Sequence, residues 1–228
     1  MSRYDRLLQL STFSDDKLRL LQSKRVLLFG VGGVGQHIAT YLVTNGVINL
    51  VIVDYDKVEL SNLNRQILLT ENDVGKPKAS VVKSALLERN EQAHIRKEEF
   101  KVDASNISYF HPEDYDVIID AVDNWETKLV IAKFAKEGGI PFLHVGVDGT
   151  GGQFCLFKDN SLLDIVDDSI KSEKRDGVMG PMVGVLSSLA SLHLLRYFAG
   201  EHVELDTLFS FNQNGNTLTK VKLWIKTF

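Results

Sequence analysis

Only one cysteine, Cys155, occurs in the 228 residues of this chain. A lone thiol makes no intramolecular disulfide and no Cys-rich zinc site, which excludes a disulfide-framed scaffold and a zinc ribbon. A surplus of one charge is also missing. Lys and Arg total 26 against 30 Asp and Glu, a net charge of −4, which argues against the cationic surface that a nucleic-acid groove or a polybasic membrane anchor requires. No clean apolar span is present either. The longest candidate, Gly180 to Gly200, carries Ser187, Ser188, Ser191, His193 and Arg196, which suits a core helix and not a passage through lipid. The opening "MSRYDRLLQLSTFSDDKLRLL" alternates charge with leucine and lacks the apolar core of a secretory signal. With an unpaired thiol and no targeting segment, the expected compartment is the cytoplasm. The six histidines, at 37, 94, 111, 144, 193 and 202, show no metal-ligand spacing, and no G-x-S-x-G elbow occurs.

What is present is an alternation of strands and helices. "RVLLF" at 25–29 is a short β-rich apolar run that stops at a glycine cluster. Val34, Ile38 and Leu42 then recur every four residues, with Gly46 placed to close a helix. "INLVIVD" at 48–54 is a second buried strand ending in an acid, and together these make a unit of βαβ size. "DVIIDAVD" at 116–123 is another strand with an acidic end, flanked by the helical patterns "GKPKASVVKSALLERN" and "TKLVIAKFAKEGG". "PFLHVGV", "GQFCLF", "TLFSFN" and "TLTKVKLWI" follow as strands separated by turns, "NQNG" being a hairpin signal. The expectation is a single α/β domain over residues 1–228: a Rossmann-like doubly wound, mostly parallel sheet extended by C-terminal antiparallel strands. Within it, 1–24 reads as a helical arm, 25–145 as the doubly wound core and 146–228 as the part that carries the antiparallel strands, the loop and the last helix. The polar stretch 158–180 reads as an excursion over an active site.

Gly30, Gly32 and Gly35 form G-x-G-x-x-G directly after a strand and before a helix. The first glycine permits the tight turn, the second lets backbone N–H groups approach phosphate, and the third allows helix and sheet to pack closely. Asp54, at the end of the second strand, is placed to receive ribose hydroxyls. This much indicates an adenine nucleotide without choosing between NAD and ATP. A site that cleaves ATP also needs cations for the extra charge and a carboxylate for Mg²⁺. Asn62, Arg65 and Lys78 follow the second strand, and Asp123 ends a later strand on the same sheet edge.

With those residues in view the chain resembles the ThiF/MoeB/HesA family of ubiquitin-activating-enzyme-like adenylyltransferases. The resemblance rests on "RYDR" at 3–6, "RVLLFGVGGVGQ" at 25–36, "LVIVDYDKVELSNLNRQ" at 50–66, "VGKPK" at 74–78, "DVIIDAVDNWETK" at 116–128 and the segment 177–200. It implies that Gly30, Gly32, Gly33 and Gly35 line the phosphates of ATP and Asp54 the ribose. By the same resemblance Asp56, Asn62, Arg65, Gln66 and Lys78 surround the phosphates, with Arg65 and Lys78 stabilising charge, and Asp123 binds magnesium. Arg6 matches an arginine supplied by the partner subunit, which implies a homodimer. The implied reaction is adenylation of the C-terminal carboxylate of a small ubiquitin-like or sulfur-carrier protein, or of a peptide, with pyrophosphate as leaving group.

The chain departs from many relatives in lacking two C-x-x-C pairs, so no structural zinc is expected, and in lacking a cysteine in the crossover loop. Cys155 lies in an apolar strand and reads as a small hydrophobe. His144 in "PFLHVGV" reads as a satisfied core histidine, and Asp164, Asp167 and Asp168 as solvated acids and not a replacement metal site. Two rival readings remain: a non-catalytic nucleotide-binding scaffold that recruits a partner protein, and an NAD-dependent dehydrogenase, which the phosphate-loop residues disfavour.

Overall fold

The computed structural model describes residues 2–149, 151–166, 177–212 and 217–223. Eight strands form one sheet in the order β3-β2-β1-β4-β5-β6-β7-β8. Their ranges are β1 Arg25–Phe29, β2 Asn49–Val53, β3 His94–Glu98, β4 Val117–Asp120, β5 Phe142–Asp148, β6 Gly151–Phe157, β7 Thr207–Asn212 and β8 Thr217–Lys222. Strands β1 to β5 pair in parallel, and β6, β7 and β8 continue the sheet antiparallel. The helices are α1 Asp5–Leu8, α2 Asp15–Ser23, α3 Gly33–Thr44, α4 Lys78–Arg89, α5 Trp125–Gly138 and α6 Gly180–Phe198.

The parallel strands read as unbroken apolar runs because both faces are covered. Val26, Leu28, Leu50, Ile52, Val117 and Ile119 point to one face, where Ile38, Leu42, Val82, Leu86, Leu186 and Leu194 of α3, α4 and α6 meet them. Leu27, Phe29, Val53 and Ile118 point to the other, against Ile131 and Ala135 of α5 and against Ile107 and Phe110. Each of these valine, leucine and isoleucine side chains contributes about 1.5–3 kcal/mol by leaving water.

Local signals agree with this arrangement at most element ends. α3 ends at Thr44, and Gly46 takes the left-handed φ of +106° just beyond it. α5 is capped by Asn124, whose side chain accepts from the Thr127 N–H, and is closed by Gly139 in the left-handed region. The strand expected over 116–123 stops at Asp120, so Asp123 stands in the turn between β4 and α5 and not on the strand itself. β3 had no counterpart among the expected strands. Of the NQNG turn at 212–215, residues 213–215 lie outside the described residues, although β7 and β8 do pair antiparallel, Asn212 opposite Thr217. Among the described residues no helix is long and apolar enough to cross a membrane.

Candidate functional site

The strand order reverses direction at β1: the chain moves from β1 to β2 on one side and returns to β4 on the other. Crevices at the carboxyl ends of strands form at such a point. Gly30 leaves β1 there with φ +84°, its N–H bonded to the Val53 carbonyl at 2.8 Å. A β-carbon at Gly30 would lie 2.7 Å from the Ala121 carbonyl oxygen, so the β4–α5 turn abuts the glycine turn directly. Gly35, in the first turn of α3, packs onto the Gly30 carbonyl so closely that a β-carbon would overlap its oxygen and lie 2.9 Å from its carbon.

Asp54 ties this turn to a cation. Its Oδ2 accepts from the Val31 N–H at 2.8 Å and its Oδ1 from the Asp56 N–H at 2.9 Å. Lys78, the first residue of α4 and only 4% exposed, brings its Nζ to 3.0 Å from Asp56 Oδ2 and 3.9 Å from Asp54 Oδ1. Burial pushes the Asp54 carboxyl above its ordinary value, while Lys78 and the two N–H donors pull the other way. The acid expected to receive a ribose is thus also the brace between the glycine turn and the lysine.

Arg65 approaches from the opposite side. Its Cγ would touch a β-carbon at Gly33 at 3.2 Å, and its Nη1 donates to the Ser61 carbonyl at 3.0 Å and to Asn64 Oδ1 at 2.8 Å. Gln66, 3% exposed, sets its amide beside Gly32 and accepts from Gln36 Nε2 at 3.3 Å. Gln36 also donates to the Val31 carbonyl and accepts from the Leu68 N–H, so one buried amide locks the 62–68 segment onto the turn. Asn62 is buried, and its Oδ1 accepts from the Glu59 N–H at 3.2 Å, closing a single turn over Leu60–Asn62. Asp123 is exposed at this corner, one residue before the cap of α5.

The structure therefore gathers Gly30, Gly32, Gly33, Gly35, Asp54, Asp56, Asn62, Arg65, Gln66, Lys78 and Asp123 around one edge of the sheet. It does not bring Arg6 there. Tyr4 packs beside Gly46 and its hydroxyl accepts from Asn90 Nδ2, which places the arm at the far ends of α3 and α4. The twelve residues of α3, about 18 Å long by helix rise, separate it from the glycine turn. Arg6 is exposed and donates to Gln9 Oε1 at 3.2 Å.

Sequence reasoning missed a buried ionic group behind the β4–α5 turn. Asp120 is fully buried, with Lys128 Nζ at 3.1 and 3.0 Å from its two oxygens and His144 Nδ1 at 2.8 Å. Burial acts to raise the Asp120 carboxyl, but Lys128 and His144 outweigh it and hold it below the ordinary carboxylate range. Burial, aided by Lys128, holds His144 below its usual value. Among the described residues the His144 ring is half satisfied: Nδ1 meets Asp120, and Nε2 has no partner. The available signal was an acid inside the apolar run "VIID" with a lysine eight residues on.

The remaining candidates lie elsewhere. Cys155 is buried on β6, and burial pushes its thiol up to about 12. Asp164 receives the Ser161 N–H at 2.8 Å and pairs with Lys136 at 2.7 Å; Asp167 and Asp168 lie outside the described residues. Among the described residues no group of three or more His, Cys, Asp or Glu is placed to hold a metal by itself. One exposed carboxylate at this corner, Asp123, is the oxygen donor that a magnesium ion would take where phosphates and waters supply the rest. A groove of about 620 Å³, lined by Arg25, Asn49, His94 and Tyr115 among others, opens at the amino-terminal ends of β1 to β3, away from this corner.

Comparison with known proteins agrees with the geometry. A family model described as "ThiF family" matches residues 4–227. The sulfur carrier protein ThiS adenylyltransferase of Escherichia coli is 30% identical over 211 residues, covering 87% of this chain and 81% of the relative. The molybdopterin-synthase adenylyltransferase of the same organism is 30% identical over 207 residues, covering 88% and 83%. The SAMP-activating enzyme E1 of Haloferax volcanii is 30% identical over 217 residues, covering 90% and 78%. Among solved structures, that of Escherichia coli MccB with ATP superposes with a TM-score of 0.87 at 20% identity, covering 97% of this chain and 71% of that one, a likeness of fold.

Proposed function

The chain belongs to the ThiF family, and from that membership we propose that it is an ATP- and Mg²⁺-dependent adenylyltransferase. It activates the C-terminal carboxylate of a small ubiquitin-like or sulfur-carrier protein, or of a peptide, as an acyl-adenylate with release of pyrophosphate. Three named relatives are adenylyltransferases or activating enzymes of this kind. The observation that carries the reading is the bracing of buried Lys78 to the glycine turn through Asp54, with Arg65 laid against Gly33 across the same turn. A dinucleotide reader needs the turn and the acid; two cations at one corner answer the extra charge of a triphosphate.

The attacking carboxylate is ionised at neutral pH and needs no general base, so the protein's work is positioning and charge neutralisation. Gly30, Gly32, Gly33 and Gly35 keep side chains away from the phosphates, and the first N–H groups of α3 face them. Asp54 receives a ribose hydroxyl on the acceptor capacity that its present partners leave. Asn62, Gln66 and Asp56 hold Arg65 and Lys78 in place, and those two cations neutralise the phosphoryl oxygens. Asp123 would hold the magnesium, which when bound supplies further charge neutralisation on the phosphates. Arg6 lies at the wrong end of its own α3 and would enter the site from a second copy, so the working unit is a homodimer, acting in the cytoplasm and without structural zinc. Cys155 is too deeply buried and too weakly acidic to receive the acyl group, so the reaction stops at the adenylate and an acceptor from outside takes it.

The test is exchange of labelled pyrophosphate into ATP in the presence of a carrier or peptide. Exchange that needs a free C-terminal carboxylate and disappears when that carboxylate is amidated supports the reading. Absence of exchange together with tight NAD binding refutes it.

A further inference from the structure

Behind the phosphate corner, the buried group on Asp120 is unexplained by stability. A buried charge cluster is often no more stable than apolar side chains of the same volume, and His144 adds an acceptor, Nε2, that has no partner among the described residues and so carries an uncompensated desolvation cost. The group does have a geometric consequence. Asp120 Oδ1 accepts the Val122 N–H at 3.2 Å, fixing the residue just before Asp123. Asp120 Oδ2 accepts from His144 Nδ1, and the His144 ring stacks against Trp125, centroids 6.1 Å apart and planes at 29°, fixing the second residue after Asp123. Lys128 spans both Asp120 oxygens and reaches the Val145 carbonyl at 3.4 Å, which pins the start of α5 to β5. Asp123 is therefore bracketed by Val122, bonded to the Asp120 carboxylate, and by Trp125, stacked on the histidine that the same carboxylate orients.

We propose that Asp120, Lys128 and His144 are positioning residues that set the β4–α5 turn, and with it the carboxylate of Asp123, for binding magnesium-loaded nucleotide. The inference rests on the functional reading above and adds residues that reading does not use. The His144 tautomer follows from the network: Nδ1–H donates to Asp120, and Nε2 is left as an acceptor. Asparagine at position 144 sets its amide N–H where Nδ1 stands and can still donate to Asp120, whereas leucine cannot. Arginine at position 128 keeps the cation, whereas methionine removes it.

Calorimetric titration with a non-hydrolysable ATP analogue, with and without Mg²⁺, gives for each protein the factor by which the metal tightens binding. A purely structural role lowers thermal stability and leaves this factor alone. His144→Leu and Lys128→Met are expected to reduce the factor about tenfold, the usual scale for losing a group that orients a metal ligand, with metal-free affinity unchanged. Lys128→Arg is expected to keep it, and His144→Asn, which keeps a donor to Asp120 but loses the ring that meets Trp125, is expected to lose less of it than His144→Leu. Trp125→Leu removes the stack without unpairing a buried charge, so it folds even if the other variants do not, and it is expected to reduce the factor in the same direction. A wild-type protein with a clear metal effect that every folded variant, Trp125→Leu included, retains overturns the inference alone. A wild-type protein that binds the analogue with no metal effect overturns the functional reading and the inference together.

Discussion

Alanine placed in turn at Gly35, Gly33 and Gly32 separates three roles that the fingerprint compresses into one motif. At Gly35 the added β-carbon overlaps the Gly30 carbonyl oxygen and stands 2.9 Å from the carbonyl carbon, both main-chain atoms of the turn itself. Neither can rotate away, so α3 or the turn must move. Alanine in a helix recovers about 0.5–1 kcal/mol, against an overpacking cost at or above the upper end of the usual range, so a net loss of about 3 kcal/mol is expected. For a chain of this size that lowers Tm by about 6–12 °C. At Gly33 the nearest atoms are Val183 Cγ1 at 3.1 Å and Arg65 Cγ at 3.2 Å, both on side chains that can give. Stability should change by under about 1 kcal/mol, but the arginine is pushed off the turn and nucleotide affinity falls. At Gly32 the nearest atom is 3.8 Å away, so the fold accepts alanine; the β-carbon instead occupies the approach of the phosphates. Urea unfolding and binding of the ATP analogue, measured side by side, give the two readouts. Gly35→Ala with unchanged stability, or Gly32→Ala with unchanged affinity, would refute the assignment of these glycines.

Cys155 should resist iodoacetamide at pH 8 in the native protein and react in urea, since burial pushes its thiol up to about 12; rapid native labelling counts against its burial. His193 lies between Phe154 and Phe209, with Nε2 3.1 Å from the Glu204 carbonyl, and burial lowers its pKa from 6.5. The unfolded chain then binds the proton more readily, so His193 supports stability above pH 6.5 and loses that contribution as pH falls through the window below 6.5. His193→Gln should flatten the slope of unfolding free energy with pH there, and an unaltered slope removes His193 as its source. Arg6→Ala and Lys78→Met proteins, each inactive alone, should on mixing recover about a quarter of wild-type exchange if Arg6 acts across a twofold dimer; no recovery under conditions of subunit exchange places Arg6 outside the site.

Much of the corner was legible in the linear chain because it is built from local chemistry. A glycine turn between a strand and a helix, an acid at the next strand end and a lysine opening a helix each have a sequence signature, and Gly30, Asp54 and Lys78 stand where those signatures put them. β3 was not legible, because "HIRKE" has one buried side chain, Ile95, among charged neighbours and shows no strand period. The Asp120 group was hidden for another reason. Its three members come from β4, α5 and β5, and only parallel pairing of β4 with β5, Asp120 opposite His144, brings the carboxylate and the ring together.

By itself the sequence determined the class of fold, the glycine-turn corner and the limits set by a single thiol, because periodicity, turn residues and residue counts are properties of short segments or of composition. Tertiary structure decided what those residues are to one another: Asp54 as the brace that holds Lys78 to the turn, Arg6 as remote from that corner, Cys155 as sealed, and Asp123 as set between Val122, bonded to buried Asp120, and Trp125, stacked on His144. Those relations depend on which strands lie side by side and on how far charge is removed from water, and neither is encoded within any one segment of the chain.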